Sequence, residues 1–339
     1  MSARPDAGKS APHRPWGANP TGRPWGAYAI LVLCFVIWSN SFAAVRALVS
    51  ELVPPAERLG PYELVLVRFF PVALFCLGWF ALLPGARRAA REMLGWRPGL
   101  VVLLGLLAVW VYNLAFGAGM QRVSAGAGAV VTAMNPVLTF LLAWRLGQER
   151  ATAAKFAGLA LATAGVYVVV VHGAGRAVEV ADLRAGALLL LAPASWALYT
   201  VLSKPIVGRG SPLHLTFLVV GLASLPTLPL VALDPTLRAK LALWGWERWG
   251  WALFLALGCT VIGFWLWYEA LQHLTASTTA AFVFLNPPLA LFFEWLWFGR
   301  QPASGLLAGG LLVLVGVYLC LKPPGRPTRR AGESAPPAP

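Results

Sequence analysis

The chain has 339 residues, of which 58% are hydrophobic and only 12% charged, and its mean hydropathy is +0.69. A soluble domain carries about 25% charged residues, so a deficit spread along the whole length excludes an ordinary water-soluble enzyme and indicates a polytopic membrane protein. The net charge of +14 sits in short loops between apolar runs, which suits lipid headgroups and orientation signals rather than nucleic acid.

Residues 1–26 are rich in Pro, Gly and Arg, carry the string RPWGA at 14–18 and again at 23–27, and are predicted to form a disordered cytoplasmic tail. The first apolar run, 27–49, exceeds the roughly 7–15 residues of a signal-peptide core, so it reads as a span. A helix needs about 20 residues to cross a hydrocarbon core of about 30 Å. By that measure ten spans are predicted, at 27–49, 62–83, 99–118, 124–144, 153–172, 183–203, 213–232, 251–269, 276–297 and 303–321. The connection 233–250 is read as a loop whose Trp244, Trp246 and Trp249, with Trp251 following, lie at the headgroup level. Residues 322–339 form a second Pro-rich, charged tail, also expected in the cytoplasm.

The candidate site residues follow in chain order. Trp38 heads the string Trp38-Ser39-Asn40-Ser41-Phe42 and falls near mid-span, away from the interfacial belt where Trp is usual. Its indole N–H needs a partner there, and Trp38 and Asn40 read either as walls of a substrate cavity or as helix packing. Arg68 lies about six residues into the second span. A charge at the centre of a span costs about 2.5–3.5 kcal/mol, so Arg68 either holds a substrate carboxylate or snorkels and pins its helix, with Glu63, Glu51 or the surroundings of Arg46 as compensation. Asn135-Pro136 sits mid-span. The proline leaves a carbonyl without its helical donor, and the asparagine adds an acceptor and two donors, as a polar cavity would require. Gly158, Ala162 and Gly165 make a close-packing stripe. Trp196 and Tyr199 repeat the aromatic pattern of the first span, with Lys204 in the register of Arg46. Glu269 and Glu294 are possible proton carriers if burial raises their pKa, with interfacial snorkelling the competing reading for Glu269. Asn286-Pro287 repeats the earlier dipeptide, and Gly305, Gly309 and Gly316 form a second small-residue stripe. The stripes either build a homodimer or close the bundle.

The repetition is systematic. Pro136 and Pro287 are 151 residues apart, and Gln121/Gln272, Gly158/Gly309 and Gly165-Val166-Tyr167/Gly316-Val317-Tyr318 keep that spacing. The fold class expected is therefore an all-α membrane protein with ten transmembrane helices in two repeats of five, 27–172 and 183–321. Five is odd, so the second repeat enters the membrane from the opposite face and the repeats are inverted. Asn135 and Asn286 are then expected near the midplane, facing each other. Lys and Arg gather on the loops that share a side with both tails, which places both termini in the cytoplasm.

Cys34, Cys76, Cys259 and Cys320 lie singly inside apolar runs, and the four histidines show no ligand spacing, so neither metal nor cofactor is expected. Without a P-loop the chain is not expected to hydrolyse ATP. A membrane-embedded lipid-modifying enzyme would need clustered carboxylates or a His base, and no DDxxD or His/Asp group is present. That enzyme, or a scramblase, is the alternative to a transporter.

Taken together, these features resemble the drug/metabolite transporter superfamily, specifically its EamA-like family. The resemblance covers about residues 27–321. It rests on the span count, the duplicated five-span unit, the Trp38-to-Phe42 opening, Arg68-Phe69, and Asn-Pro followed by a Gly147-Gln148-Glu149 loop. It implies export or exchange of small metabolites, often amino acids, by alternating access across the inner membrane. Members usually carry Gly-Glu in both loops; here the first has an inserted Gln148 and the second reads Gly299-Arg300-Gln301.

Overall fold

The computed structural model describes residues 25–50, 53–120, 131–173, 183–208, 210–299 and 305–321. The bulk of both predicted tails, Glu51 and the first part of the predicted fourth span lie outside these residues. All regular structure among the described residues is helical. The helices are α1 (Trp25–Val49), α2 (Pro61–Leu82), α3 (Pro84–Trp96), α4 (Pro98–Gly119), α5 (Asn135–Arg145) and α6 (Ala153–His172). They continue with α7 (Leu183–Val207), α8 (Pro212–Leu233), α9 (Pro235–Ala242), α10 (Trp246–His273), α11 (Ala276–Phe298) and α12 (Gly305–Cys320).

In lipid every backbone polar group must be satisfied within the chain, which is why these apolar runs can only be helices. Their ends are written in the sequence. Proline occupies the first turn of α2, α3, α4, α5 and α8, where its missing N–H costs nothing. Thr152 and Asp234 accept backbone N–H bonds at the starts of α6 and α9. Gly299, with φ of +66°, ends α11 in the left-handed conformation.

Among the described residues, eight helices are long and apolar enough to cross a membrane: α1, α2, α4, α6, α7, α8, α10 and α11. α5 is shorter, and α12 has 16 residues. Two stretches differ from the sequence expectation. The loop before the third span is a helix, α3, whose Ala86 is buried while Arg87, Arg88 and Arg91 are exposed. The connection 233–250 folds as α9 plus the first turn of α10, which runs through to His273. Only Trp246 of its tryptophans is strongly exposed (88%). Trp244 is buried, and its indole N–H donates to the Glu57 carbonyl at 3.0 Å.

The packing is reciprocal. α1 lies against α10 and α11, while α7 lies against α4 and α5. α6 packs on α12 through the two small-residue stripes. A Cβ on Gly316 would stand 2.5 Å from the Ala162 nitrogen, and one on Gly165 2.7 Å from the Val313 nitrogen. The stripes are thus occupied against each other inside one chain.

This contact also fixes the ends of the bundle. Gly158 and Lys155, at the start of α6, meet Cys320 at the end of α12, and the ring of Tyr28, near the start of α1, stacks on Phe282 of α11 at 6.1 Å. We call this the terminal end. Arg46, Glu57 and Glu294 lie at the opposite, far end.

Candidate functional site

Trp38 of α1 and Trp196 of α7 meet at the centre of the bundle. Their ring centroids are 5.4 Å apart, with the planes at 83°. This edge-to-face geometry sets the positive edge of one ring on the negative face of the other. α10 contributes Trp267, 5.5 Å from Trp38, and Phe264, 5.3 Å from Trp196. Tyr112 of α4 and Tyr199 of α7 pack on Trp196 at 5.4 and 5.0 Å. The indole N–H of Trp38 donates to the Cys259 carbonyl at 2.7 Å, within the wide-turned stretch Phe254–Ile262 of α10. Wide turns of this kind recur at functional sites.

Arg68 borders this cluster. Its Nε donates to Thr260 Oγ1 at 3.0 Å, next in sequence to the Cys259 that holds Trp38. The expected compensation by Glu63 is not found. Glu63 pairs with Lys240 at 2.7 Å and accepts the Gly60 N–H. The two positions are five residues apart, or about 140° around a helix, so they face different neighbours.

The two Asn-Pro sites do not bond each other. Asn135 Nδ2 donates to the Pro193 carbonyl of α7 at 3.0 Å, and Asn286 Oδ1 accepts from Ser39 Oγ of α1 at 2.9 Å. Each asparagine therefore binds next to the tryptophan of the opposite half, three residues before Trp196 in one case and one residue after Trp38 in the other. Asn135 is 3% exposed, and its Oδ1 has no partner among the described residues; one turn on, Thr139 Oγ1 is buried in the same state. The chain leaves α geometry just before both dipeptides, as a turn at 133–134 and as a 3₁₀ stretch at Phe282–Leu285. Pro136 and Pro287 then open the next helical segment.

Three sequence candidates lie elsewhere. Asn40 accepts from the indole of Trp297 at 2.7 Å, on the exposed side of α1. It is two residues, about 200°, from Trp38, so the residue that reaches the interior partner is Ser39. Glu294 pairs with Arg46 at 3.1 Å at the far end. Glu269 accepts from Gln272 at 2.7 Å and lies 3.5 Å from His273. Neither carboxylate reaches the aromatic cluster.

The sequence reading missed Phe264, Trp267 and Tyr268, although four aromatics crowded among residues 264–268 were the available signal. It named Glu149 within the Gly147-Gln148-Glu149 loop but gave it no role. This side chain is buried at the terminal end, where it pairs with Lys155 and accepts from the backbone N–H and hydroxyl of Ser277.

With this geometry in view, the comparisons are direct. The sequence matches the EamA-like transporter family over residues 25–171 and 183–322. It is 29% identical to a protein of Streptantibioticus cattleyicolor named probable terminal-alkyne amino-acid exporter, over 85% of this chain and 91% of that one. It is 27% identical to the uncharacterized transporter YyaM of Bacillus subtilis, over 64% and 70%. It is 32% identical to an uncharacterized protein of Pseudomonas aeruginosa, over 71% and 77%. A solved crystal structure superposes with a TM-score of 0.65 at 18% identity, over 87% of this chain and 96% of the other, a likeness of fold. The chain, a multi-pass helical membrane protein, belongs to the EamA-like transporter family.

Proposed function

We propose that this protein is a secondary transporter that exports or exchanges small polar metabolites such as amino acids, by alternating access around the Trp38–Trp196 cluster. In this reading ten helices form two inverted halves in the inner membrane, and the terminal end faces the cytoplasm. The reciprocal packing of α1 on α10 and α11, and of α7 on α4 and α5, supports it, as does the matching reach of the two asparagines. The observation that carries the reading is the meeting of Trp38 and Trp196, equivalent residues of the two halves, beside Arg68.

The chemistry suits a zwitterion. Arg68 keeps its charge at any working pH, and its planar fork has donors left for a carboxylate after the bond to Thr260. Indole faces attract an ammonium group and also pack an apolar side chain. Asn135 Oδ1 is a buried acceptor, and such a group gains most from a donor-bearing solute. One relative's name, an amino-acid exporter, fits the same class.

Purified protein in vesicles should exchange labelled amino acids down a concentration gradient without nucleotide. A panel of zwitterionic, anionic and neutral solutes that all fail to exchange would overturn the proposal.

A further inference from the structure

The terminal end is closed by contacts that the proposed site does not use. Glu149 is 3% exposed and Lys155 10%. One carboxylate oxygen of Glu149 accepts the Ser277 N–H at 2.8 Å, and the other is shared by Lys155 Nζ and the Ser277 hydroxyl, while Lys155 Nζ also reaches Ser277 Oγ at 2.9 Å. Next to it Gln148 Nε2 donates to the Val201 carbonyl of α7 at 3.2 Å. Lys204 Nζ, on the same turn region of α7, donates to the carbonyls of Leu271 and Leu274 at 2.5 and 2.6 Å. A loop of the first half thus grips two helices of the second, α7 and α11.

The far end is held by ion pairs that water reaches more easily. Arg46–Glu294 joins α1 to α11 at 3.1 Å, Lys240–Glu63 joins α9 to α2 at 2.7 Å, and Arg248 of α10 pairs with Glu57; their side chains are between 14% and 26% exposed, and Asn40–Trp297 lies on the outer surface. By the 151-residue repeat, the position equivalent to Glu149 is Arg300, and that equivalent to Ser277 is Gly126. The sequence therefore supplies no second copy of the Glu149 grip. A charge held in a dry site is lost only with its partners, whereas a wet pair exchanges readily with solvent.

We propose that Glu149 is a positioning residue of the transport cycle: a clasp that holds the terminal end shut between the halves, and that, being drier than the ion pairs of the far end, biases the resting protein toward opening at the far end. The proposal rests on the alternating-access reading. Opening the terminal end requires Ser277 and the start of α11 to leave Glu149, and a substrate seated at the central cluster is what would offset that loss.

The test is labelling by a membrane-impermeant thiol reagent, applied from each side of vesicles, without any substrate. Two reporters are placed in a chain whose native cysteines are replaced: Ala280→Cys, buried behind the clasp, and Ala47→Cys, lining a cavity of about 190 Å³ at the far end. Glu149→Gln should raise labelling at 280 from the terminal side by tenfold or more and lower labelling at 47 from the far side by threefold or more. Ser277→Ala, which keeps the ion pair, should move both in the same directions by a smaller factor, and serves alone if Glu149→Gln does not fold. A rise at both positions would mean simple loosening, and no change at 280 would mean no clasp; either overturns the proposal. If the opposed shifts occur in a protein that exchanges no solute, the clasp stands and the transport reading falls.

Discussion

Trp38 and Trp196 stand edge to face at 5.4 Å, one from each half of the chain, and only Trp38 is tied by its indole to a backbone carbonyl, that of Cys259. The ring edge and the hydrogen bond together fix the orientation of Trp38 at the point where α1, α7 and α10 meet.

That bond gives the first prediction. Trp38→Phe keeps an aromatic ring and deletes the N–H that bonds the Cys259 carbonyl, a net loss of about 0.5–1.5 kcal/mol. Exchange in vesicles should fall by fivefold or more, while the amount of protein in the membrane stays near normal. Parent-like exchange in this variant would reduce the indole to packing.

Arg68→Lys retains the charge and removes the planar fork. If Arg68 holds a substrate carboxylate, the half-saturating concentration for amino acids should rise by about tenfold, with little change for a neutral analogue that lacks the carboxylate. The comparison of the two solutes is the check. Unaltered kinetics for both would favour a role for Arg68 in pinning α2 through Thr260.

Asn135→Ala and Asn286→Ala should each impair exchange with membrane levels near normal. The first removes the side-chain donor to the Pro193 carbonyl and the second the acceptor of the Ser39 hydroxyl, each a net loss of about 0.5–1.5 kcal/mol. Because the two bonds are reciprocal, the two losses should be of similar size. Transport at the parent rate in both variants would remove the asparagines from the site.

Gly316→Val tests the α6–α12 contact without touching the site. The new Cβ would stand 2.5 Å from the Ala162 nitrogen, a backbone atom that cannot turn aside. Overpacking of this kind typically costs about 1–3 kcal/mol, so thermal unfolding in detergent should shift down by several degrees. An unchanged midpoint would show that the two helices can separate freely.

Particular residues show what the sequence could and could not reveal. The Asn-Pro pairs were legible because a proline inside an apolar run is rare and its spacing repeats. The mid-span tryptophans were legible for a similar reason, and they do meet. Ser39 and Asn40 were not separable, since the phase of α1 is set by which neighbours it packs on, and a sequence of one helix carries no neighbour. The glycine stripes read the same whether they face a second copy or a second helix of the same chain. Glu149 was visible as part of the Gly147-Gln148-Glu149 loop, but its role was not, because burial of a loop carboxylate depends on Ser277, 128 residues away. Glu63 looked like the partner of Arg68 by nearness along the chain, but nearness along a helix is not nearness on its face.

Alternating access in this protein requires two oppositely inserted halves sharing one buried site. Reporter domains fused to the first and last residues give the most direct measurement: one reporter active only in the cytoplasm, the other only outside it. Both ends should report the cytoplasm. Ends reported on opposite sides of the membrane would contradict the inversion, and the shared site between Trp38 and Trp196 would lose its basis.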